Sequence, residues 1–237
     1  MSRESYAQHW YPNAKARAEQ GILDAMVSNE LFDHTWMASI HQLQKQLRFA
    51  DGQTVLDAGC GWGRLLVGVK HFHPNVSIDG YELTAEFVDK ARELLEQYEL
   101  ADGVRVVQAD LLETELPRDH YDSLYSSRVV HYIQAKELLI GKFHAALKEG
   151  GRAMIIIPNR SSPYQRRVYK HAPLYPIRSV GRIMEAAGFR AIRYGGYRFL
   201  PSSRRFAYDS VAARIENALA ATPIGRFAGL AYVVGDK

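Results

Sequence analysis

The sequence contains a single cysteine, Cys60, among its 237 residues. An intramolecular disulfide and a cysteine-rich zinc site are therefore both excluded. The sequence also lacks a signal-peptide pattern near its start, and no apolar run approaches the roughly 20 residues that a membrane span needs. Internal repeats and low-complexity segments are absent too. These absences predict a soluble globular protein, and we expect it to be cytoplasmic.

Charge is distributed unevenly along the chain. The net charge is +4, yet the segment from residue 151 onward holds 15 Lys and Arg against 4 Asp and Glu. The first 150 residues hold 15 basic and 22 acidic residues. The C-terminal part is therefore either a surface for an anionic partner, such as a substrate, a nucleic acid or a lipid, or an arginine-rich face that is merely solvated.

Short apolar segments alternate with segments of helical periodicity over the middle of the chain. A helix is also predicted within residues 17–49, whose apolar side chains recur at helical spacing. The predicted strands are Thr54–Ala58, Val76–Glu82, Val104–Ala109, Tyr121–Ser126 and Arg152–Pro158. The predicted helices between them are Gly63–Phe72, Thr84–Tyr98 and Ala135–Lys148, and Gly150 with Gly151 is expected to end the last of them. This alternation favours an α/β fold, in which a parallel sheet carries helices on both faces.

The C-terminal third departs from this alternation. Residues 189–199 predict a kinked strand, a helix is expected near residues 208–221, and GLAYVVGDK closes the chain as a last strand. Two late strands without the usual crossover spacing favour one antiparallel strand in an otherwise parallel sheet. Residues 159–180 have no clear period, and we interpret them as a basic, aromatic insertion over the carboxyl edge of the sheet.

The first predicted strand ends on an acid that is followed by alternating glycines, in TVLDAGCGWGRLL. The pattern is Asp57, Gly59, Gly61 and Gly63. Glycines at the carboxyl end of a parallel strand let a ligand lie against bare backbone, and the next helix offers unpaired N–H groups. The dinucleotide fingerprint G-x-G-x-x-G fails, because Arg64 stands where its last glycine belongs. A nicotinamide-dependent oxidoreductase is therefore disfavoured.

Two further carboxylates end neighbouring predicted strands. Glu82 closes the second strand, where a carboxylate can accept hydrogen bonds from ribose hydroxyls. Asp110 follows the third strand and precedes Leu111, a pair that suits an adenine amine and an adenine ring face. Acids at strand ends also cap helices, so neither residue decides the question alone. Together with the glycines, they predict a site for a nucleoside cofactor.

These motifs resemble those of the class I S-adenosylmethionine-dependent methyltransferases. The resemblance covers roughly residues 50–158 and 182–198, and it rests on VLDAGCGWG, YELT, QADLLE, YDSLYSSRVVHYI, LKEGGRAMIIIP and MEAAGFRAIRY. It implies a Rossmann-like, doubly wound sheet of seven strands whose last strand is antiparallel. It also implies a methyltransferase domain over residues 51–237, which an N-terminal helical cap over residues 1–50 precedes.

The resemblance further implies which residues hold S-adenosylmethionine and its product, S-adenosylhomocysteine. The first strand and the glycine turn would contact the methionine part, and the ends of the second and third strands would contact ribose and adenine. Residues after the fourth strand would line the methyl-donor end. The implied cofactor-binding residues are Asp57, Gly59, Cys60, Gly61, Gly63, Glu82, Leu83, Asp110, Leu111, Ser127 and Arg128.

Methyl transfer requires the protein mainly to align the reacting atoms and to exclude water, and we expect no metal. A general base helps when the acceptor loses a proton. His131 is the candidate base and Tyr132 the candidate hydrogen-bond partner, although core packing explains either residue as well. The aromatic residues Tyr6, Trp10 and Tyr11 are interpreted as a lid over the cofactor or, equally, as core residues.

Several subclasses of methyltransferase are disfavoured by the residues after the fourth strand. Cytosine C5-methylation needs a nucleophilic cysteine there, but the only cysteine lies in the glycine turn. The N/D-P-P-Y/F signature of enzymes that methylate amines of nucleic acids is replaced by SSRVVH. The metal-dependent catechol type needs aspartates where Ser127 and Arg128 stand.

The basic C-terminal region leaves the acceptor open. Its cations and aromatic residues alternate, as in Arg160, Tyr164, Arg166, Arg167, Tyr169, Lys170, Arg204, Arg205, Phe206 and Tyr208. We favour transfer to an O, N or C atom of a small anionic or amphipathic molecule. An RNA or DNA acceptor is the first alternative, because arginine with aromatic residues also suits single strands. A non-catalytic partner subunit that binds the cofactor is the second.

Overall fold

The structure is a computed structural model, and it describes residues 34–168, 174–199, 215, 218–220 and 222–237. Its first half contains α1 (His34–Leu47), β1 (Thr54–Ala58), α2 (Arg64–Phe72), β2 (Ser77–Glu82), α3 (Ala85–Gln97), β3 (Val104–Gln108) and β4 (Tyr121–Ser127). A 3₁₀ turn (Val130–Tyr132) leads to α4 (Lys136–Ala146), β5 (Leu147–Pro158), α5 (Pro163–Val168), α6 (Ile177–Ala186) and β6 (Arg190–Tyr197). A second 3₁₀ turn (Pro223–Phe227) precedes β7 (Leu230–Asp236).

The seven strands form one sheet in the order β3-β2-β1-β4-β5-β7-β6. Strand β7 is antiparallel to both of its neighbours, and the pairs from β3 to β5 are parallel. The predicted Rossmann-like, doubly wound fold with an antiparallel last strand is therefore confirmed. The strand order reverses between β1 and β4, and ligands of such sheets bind at that switch point, beyond the carboxyl ends of the strands.

Helices cover both faces of the sheet because the buried strands present apolar side chains to each face in turn. On one face, α1, α2 and α3 pack in a core that includes Ile40, Leu66 and Leu94. On the other face, α4 and α6 contribute Phe143 and Met184 to a second core. Burying each such side chain stabilises the fold by about 1.5–3 kcal/mol.

The junction between α4 and β5 differs from the prediction. The helix expected to reach Lys148 ends at Ala146, and the strand expected from Arg152 begins at Leu147. Leu147 is fully buried and pairs with Tyr121, and a register shift follows. Gly150 has a φ of +76°, so the glycine expected to end the helix lies within the irregular start of the strand.

The predicted kink in the late strand coincides with β6. Ala191 has a φ of +48°, and the register with β7 shifts between Arg190 and Arg193. The helix expected near residues 208–221 lies mostly outside the described residues, although 215 and 218–220 are helical. Among the described residues, no helix has the length and apolar character required to cross a membrane.

The predicted cap over residues 1–50 and the predicted insertion over residues 159–180 are described only in part. Helix α1 packs against α2 in the first core, and α5 lies in the predicted insertion. The division into cap, domain and insertion stays a prediction.

Asp79 connects three strands on one face of the sheet. Its carboxylate accepts hydrogen bonds from Arg105 Nε and Nη2 on β3, at 2.9 and 2.6 Å, and from Tyr121 Oη on β4, at 2.8 Å. Burial alone would raise the pKa of Asp79, but the hydrogen bonds from Arg105 and Tyr121 outweigh it and hold the pKa below its usual value. A lowered pKa means that the ionised carboxylate stabilises the folded state.

We expect Asp79→Asn to lower the free energy of unfolding by about 1–2 kcal/mol at pH 7, because charge-assisted hydrogen bonds are lost. The difference from the wild type should shrink as pH falls below about 4, where Asp79 of the unfolded chain takes up a proton. Urea unfolding at pH 7 and pH 3 measures both values. Asp89→Asn is the control, because its exposed pair with Arg92 at 3.7 Å contributes little. A loss of equal size at both pH values would contradict the ionic role.

Candidate functional site

The turn after β1 places three glycines in backbone conformations that other residues rarely adopt. The φ angles of Gly59, Gly61 and Gly63 are +85°, +56° and +86°. Within the turn, the N–H groups of Gly59 and Cys60 both donate to the carbonyl of Tyr81 on β2, at 2.8 and 3.0 Å. The turn is thereby fixed to the carboxyl end of the neighbouring strand.

The three glycines have different steric surroundings. A Cβ on Gly59 would lie 2.3 Å from Val129 Cγ2, and one on Gly63 would lie 2.9 Å from the Cβ of Ala91 on α3. A Cβ on Gly61 would meet nothing within 4 Å. Gly59 and Gly63 therefore allow close packing within the protein, whereas Gly61 leaves bare backbone beside open space.

Asp57 is an acid that the fold has almost removed from water. Its side chain is 1% exposed, and Oδ2 has no hydrogen-bond partner among the described residues. Burial raises the pKa of Asp57 to about 8; the neighbouring Tyr125 hydroxyl opposes this shift, and the charge of Glu82 adds to it. A buried acceptor without a partner is costly to the ligand-free protein.

Glu82 joins the glycine turn to the start of α3. Oε2 accepts a hydrogen bond from the N–H of Gly61, and Oε1 accepts one from the N–H of Thr84, each at 3.0 Å. Burial raises the pKa of Glu82 in spite of these hydrogen bonds. Each carboxylate oxygen has a second acceptor position, so the residue can still bind hydroxyl groups of a ligand.

A cavity of about 270 Å³ opens beyond the carboxyl ends of β1, β2 and β3. It brings together six of the predicted site residues, namely Gly59, Glu82, Leu83, Asp110, Leu111 and Tyr132. At its far side, Asp110 Oδ1 accepts a hydrogen bond from the N–H of Leu112 at 2.9 Å, which fixes the carboxylate beside the buried Leu111. The cavity therefore has carboxylates at two places and an apolar wall between them.

Other predicted residues lie around the cavity without lining it. Asp57, Cys60, Gly61 and Gly63 belong to the turn or the strand before it, and Ser127 and Arg128 lie at the end of β4 and directly after it. Burial, with the charges of Asp57 and Glu82, raises the pKa of the Cys60 thiol well above its usual value. The thiol therefore stays protonated at neutral pH, which makes it a poor nucleophile.

His131 and Tyr132 occupy the 3₁₀ turn and have different surroundings. His131 is 1% exposed and does not line the cavity, whereas Tyr132 does. Burial lowers the pKa of His131 to about 3, with further lowering by the charges of Arg128 and Lys136. A base for neutral pH works best with a pKa near 7. The roles of both residues stay predictions, and the geometry places Tyr132 nearer to a bound ligand.

Some lining residues were not among the predicted ones. They are Tyr81, Ala109, Leu112, Val129, Ile133, Gln134 and Ala135. Most are sequence neighbours of predicted residues, so widening each motif by a few positions would have included them. The predicted lid residues Tyr6, Trp10 and Tyr11 lie outside the described residues.

Two arginines and two tryptophans form a cation–π cluster beside the glycine turn. The guanidinium carbon of Arg64, at the start of α2, lies 4.6 Å from the ring centroid of Trp36 and 4.3 Å from that of Trp62. The guanidinium carbon of Arg128 lies 4.8 Å from the centroid of Trp36. Arg64, which stands where the dinucleotide fingerprint needs glycine, thus contacts both Trp36 of α1 and Trp62 of the glycine turn.

A family model for a methyltransferase domain matches residues 56–153. The matched segment runs from β1 into β5 and contains the glycine turn, both carboxylates of the cavity and the 3₁₀ turn. This match, the relatives and the solved structures below support the class I S-adenosylmethionine-dependent methyltransferase family that the sequence motifs resemble. The resemblance described from the sequence motifs is thereby confirmed.

The matches to individual relatives span only part of this chain and only part of each relative. Phosphoethanolamine N-methyltransferase 3 of Arabidopsis thaliana is 30% identical over 152 residues, which are 60% of this chain and 29% of that protein. Trans-aconitate 2-methyltransferase of Paracidovorax citrulli is 30% identical over 152 residues, which are 63% of this chain and 55% of that protein. The chain thus spans less than two thirds of the length of these curated relatives.

Solved structures share the fold at lower identity. A structure described as a SAM-dependent methyltransferase of Thermotoga maritima superposes with a TM-score of 0.69 and 17% identity. The superposition covers 97% of this chain and 98% of that chain. At this identity the likeness shows the methyltransferase fold alone.

The close packing of Gly59 against Val129 gives a test of the turn. We expect Gly59→Ala to lower the free energy of unfolding by about 2 kcal/mol or more, because the new Cβ combines overpacking with an unfavourable φ. Gly61→Ala, which has a positive φ but open space, should lose only about 1 kcal/mol. Urea unfolding measures both values.

A second substitution separates the two causes. The double variant Gly59→Ala with Val129→Ala removes the atoms that clash, so it should recover part of the stability that Gly59→Ala alone loses. No recovery would mean that the backbone conformation, and not the contact with Val129, makes glycine necessary at residue 59.

Proposed function

We propose that the protein binds S-adenosylmethionine and transfers its methyl group to an O, N or C atom of a small organic molecule. The observation that carries this proposal is the cavity at the strand-order reversal, where the glycine turn, Glu82 and Asp110 meet. The proposed cofactor contacts are Asp57 and the glycine turn for the methionine part, Glu82 and Leu83 for ribose, and Asp110 with Leu111 for adenine.

The residues of the site fit this cofactor on two counts. The partnerless Oδ2 of Asp57 is a buried acceptor that an ammonium group would satisfy. The open space at Gly61 allows a ligand to lie directly against the backbone. Leu111 supplies an apolar surface for a ring, and Asp110 supplies an acceptor for an amine.

When bound, S-adenosylmethionine supplies a methyl group on a positively charged sulfur, which leaves the product as neutral S-adenosylhomocysteine. The protein then has to hold the acceptor in line with this group and keep water out. Buried carboxylates near the turn favour the positively charged donor. For an acceptor that carries a proton, Tyr132 is the proposed hydrogen-bond partner. The rings of Tyr132 and His131 lie together, with centroids 3.8 Å apart.

The acceptor is proposed to be anionic or amphipathic. Two relatives are named for the acceptors phosphoethanolamine and trans-aconitate, which carry a phosphate and carboxylates respectively. The excess of basic residues after position 150 supports the same class.

An RNA or DNA acceptor is the second candidate. It is favoured by the exposed side chains of Arg160, Tyr164, Arg166 and Arg167 at and near α5. Binding to a single-stranded oligonucleotide should then weaken steeply between 50 and 200 mM salt, since phosphate contacts release counterions. Binding that is weak at low salt would remove this candidate.

Binding of the proposed cofactor should raise the thermal stability of the protein. S-adenosylmethionine or S-adenosylhomocysteine at about 100 times its Kd should add roughly 2.7 kcal/mol, which raises the melting temperature by about 5–10 °C. NAD is the control and should give no shift. A shift with the sulfur nucleosides, followed by a mass gain of one methylene in a screened acceptor, supports the enzyme. No shift with either would contradict the proposal, and a shift without any turnover would favour a cofactor-binding partner subunit.

The raised pKa of Asp57, which is about 8, predicts that cofactor binding depends on pH. Only the ionised carboxylate attracts an ammonium group, so the affinity for S-adenosylhomocysteine should rise roughly tenfold from pH 6 to pH 7, about fivefold more by pH 8, and level off above pH 8. Asp57→Asn should weaken binding at pH 8 and flatten this dependence. Isothermal titration at three pH values measures the effect, with Asp89→Asn as the control. A flat wild-type profile would contradict the role of Asp57.

The raised pKa of Asp57 also makes the stability of the ligand-free protein depend on pH. Because the folded-state pKa lies above the unfolded value, Asp57 costs stability as pH rises from about 4 to 8. Ligand-free Asp57→Asn should therefore melt several degrees above the wild type at pH 8, and this excess should disappear near pH 4.

A further inference from the structure

Arg128 is the first residue after β4, and it lies directly beside the cavity. The next residue, Val129, lines the cavity and packs on Gly59, whereas Arg128 itself is not part of the wall. Its N–H donates to the carbonyl of Ile156 on β5 at 2.8 Å, which prolongs the β4–β5 pairing by one residue. The side chain therefore belongs to the carboxyl edge of the sheet, next to the nucleoside cavity and outside it.

The backbone of Arg128 is held in an unfavourable conformation. Its φ is +61°, in the left-handed region that favours glycine. A non-glycine residue in this region destabilises the fold, and such residues cluster at functional sites. Packing does not require arginine here, because the side chain is only half-buried.

The guanidinium of Arg128 has no carboxylate partner within 4 Å among the residues described by the structure. Six other basic residues of the described chain, by contrast, form ion pairs with aspartates, namely Arg92, Arg105, Lys148, Arg152, Arg193 and Lys237. Arg128 instead lies over the indole of Trp36, which leaves the N–H groups at the edge of the guanidinium for another acceptor. A stacked guanidinium of this kind is well suited to carboxylates and phosphates, which it binds with two parallel hydrogen bonds.

The surroundings of Arg128 are positively charged and aromatic. Arg64 stacks on the same indole. His131 is electrically neutral at pH 7, and Tyr197, at the carboxyl end of β6, donates a hydrogen bond to Ser39 at 3.1 Å. The charge of Arg128 lowers the pKa of both His131 and Tyr197, so Arg128 lies near the 3₁₀ turn and near the carboxyl end of β6. A ligand that entered this region would meet positive charge and aromatic side chains.

We propose that Arg128 binds an anionic group of the methyl acceptor, a carboxylate or a phosphate, and thereby selects organic acids or phosphate esters over neutral molecules. The inference rests on the proposed methyl transfer, because it places the acceptor beside the cofactor cavity. It gives Arg128 a role in acceptor selection in place of the cofactor contact that the sequence motifs imply.

The test measures binding of defined anions to the full chain saturated with S-adenosylhomocysteine. Succinate and citrate probe a carboxylate site, glycerol phosphate probes a phosphate site, and succinamide and glycerol are their neutral counterparts. We expect the wild type to bind at least one anion and neither neutral molecule. Arg128→Gln should weaken anion binding at least tenfold, and Arg128→Lys should give an intermediate value, since lysine keeps the charge but loses the paired hydrogen bonds.

Arg178→Gln is the matched control. Arg178 also lies over an aromatic ring, with its guanidinium carbon 5.5 Å from the centroid of Tyr194, but it belongs to α6 on the opposite face of the sheet from α1. This variant loses the same charge and should bind the anion as the wild type does. All variants should bind S-adenosylhomocysteine within twofold of the wild type.

Four results would overturn the inference about Arg128. The first is anion binding by Arg128→Gln as tight as that of the wild type, and the second is binding of the neutral molecules by the wild type as tight as that of the anions. The third is loss of S-adenosylhomocysteine binding in Arg128→Gln alone. The fourth is a wild type that binds S-adenosylhomocysteine but none of the anions. A wild type that fails to bind S-adenosylhomocysteine gives a different result, since it contradicts the proposed function itself and the inference with it.

Discussion

Only a hydrogen atom fits between the Cα of Gly59 and the side chain of Val129, where a Cβ would lie 2.3 Å from Cγ2. This contact joins the loop after β1 to the loop after β4, at the place where the strand order reverses. Elsewhere in a doubly wound sheet, neighbouring loops run to the same side, but here they diverge and leave a crevice. The contact between Gly59 and Val129 closes the base of that crevice and fixes two residues of the cavity lining relative to each other.

Glu82 stabilises the same arrangement from the other side. Its two oxygens accept hydrogen bonds from the N–H groups of Gly61 and Thr84, so one buried carboxylate fixes both the turn and the start of α3. Burying this charge costs free energy, as the raised pKa of Glu82 shows. The hydrogen bonds offset part of that cost, and a ligand hydroxyl on the remaining acceptor positions would offset more. A site of this kind is incompletely satisfied until a ligand binds.

Much of this arrangement could be predicted because it depends on local sequence. The β1 boundaries, the order of strands and helices, and the carboxylates of the cavity all follow from hydrophobic periodicity and from residues next to each other in the chain. The start of β5 was wrong by five residues, because the pairing of Leu147 with Tyr121 is a long-range contact that overrides the local signal of Gly150. The stacking of Arg128 on Trp36 joins residues 92 positions apart, and no spacing rule indicates it.

The charges around the cavity divide the site into two electrostatic halves. Asp57, Glu82 and Asp110 lie at the carboxyl ends of β1 to β3, where a positively charged donor is proposed to bind. Arg128 and Arg64 lie toward α1, on the other side of the turn. The proposed reactants, a positively charged donor and an anionic acceptor, would each be attracted to one half and repelled from the other. The proposed transfer removes the positive charge of the donor, so the carboxylates would attract the product less strongly than the donor, and release of the product would be favoured.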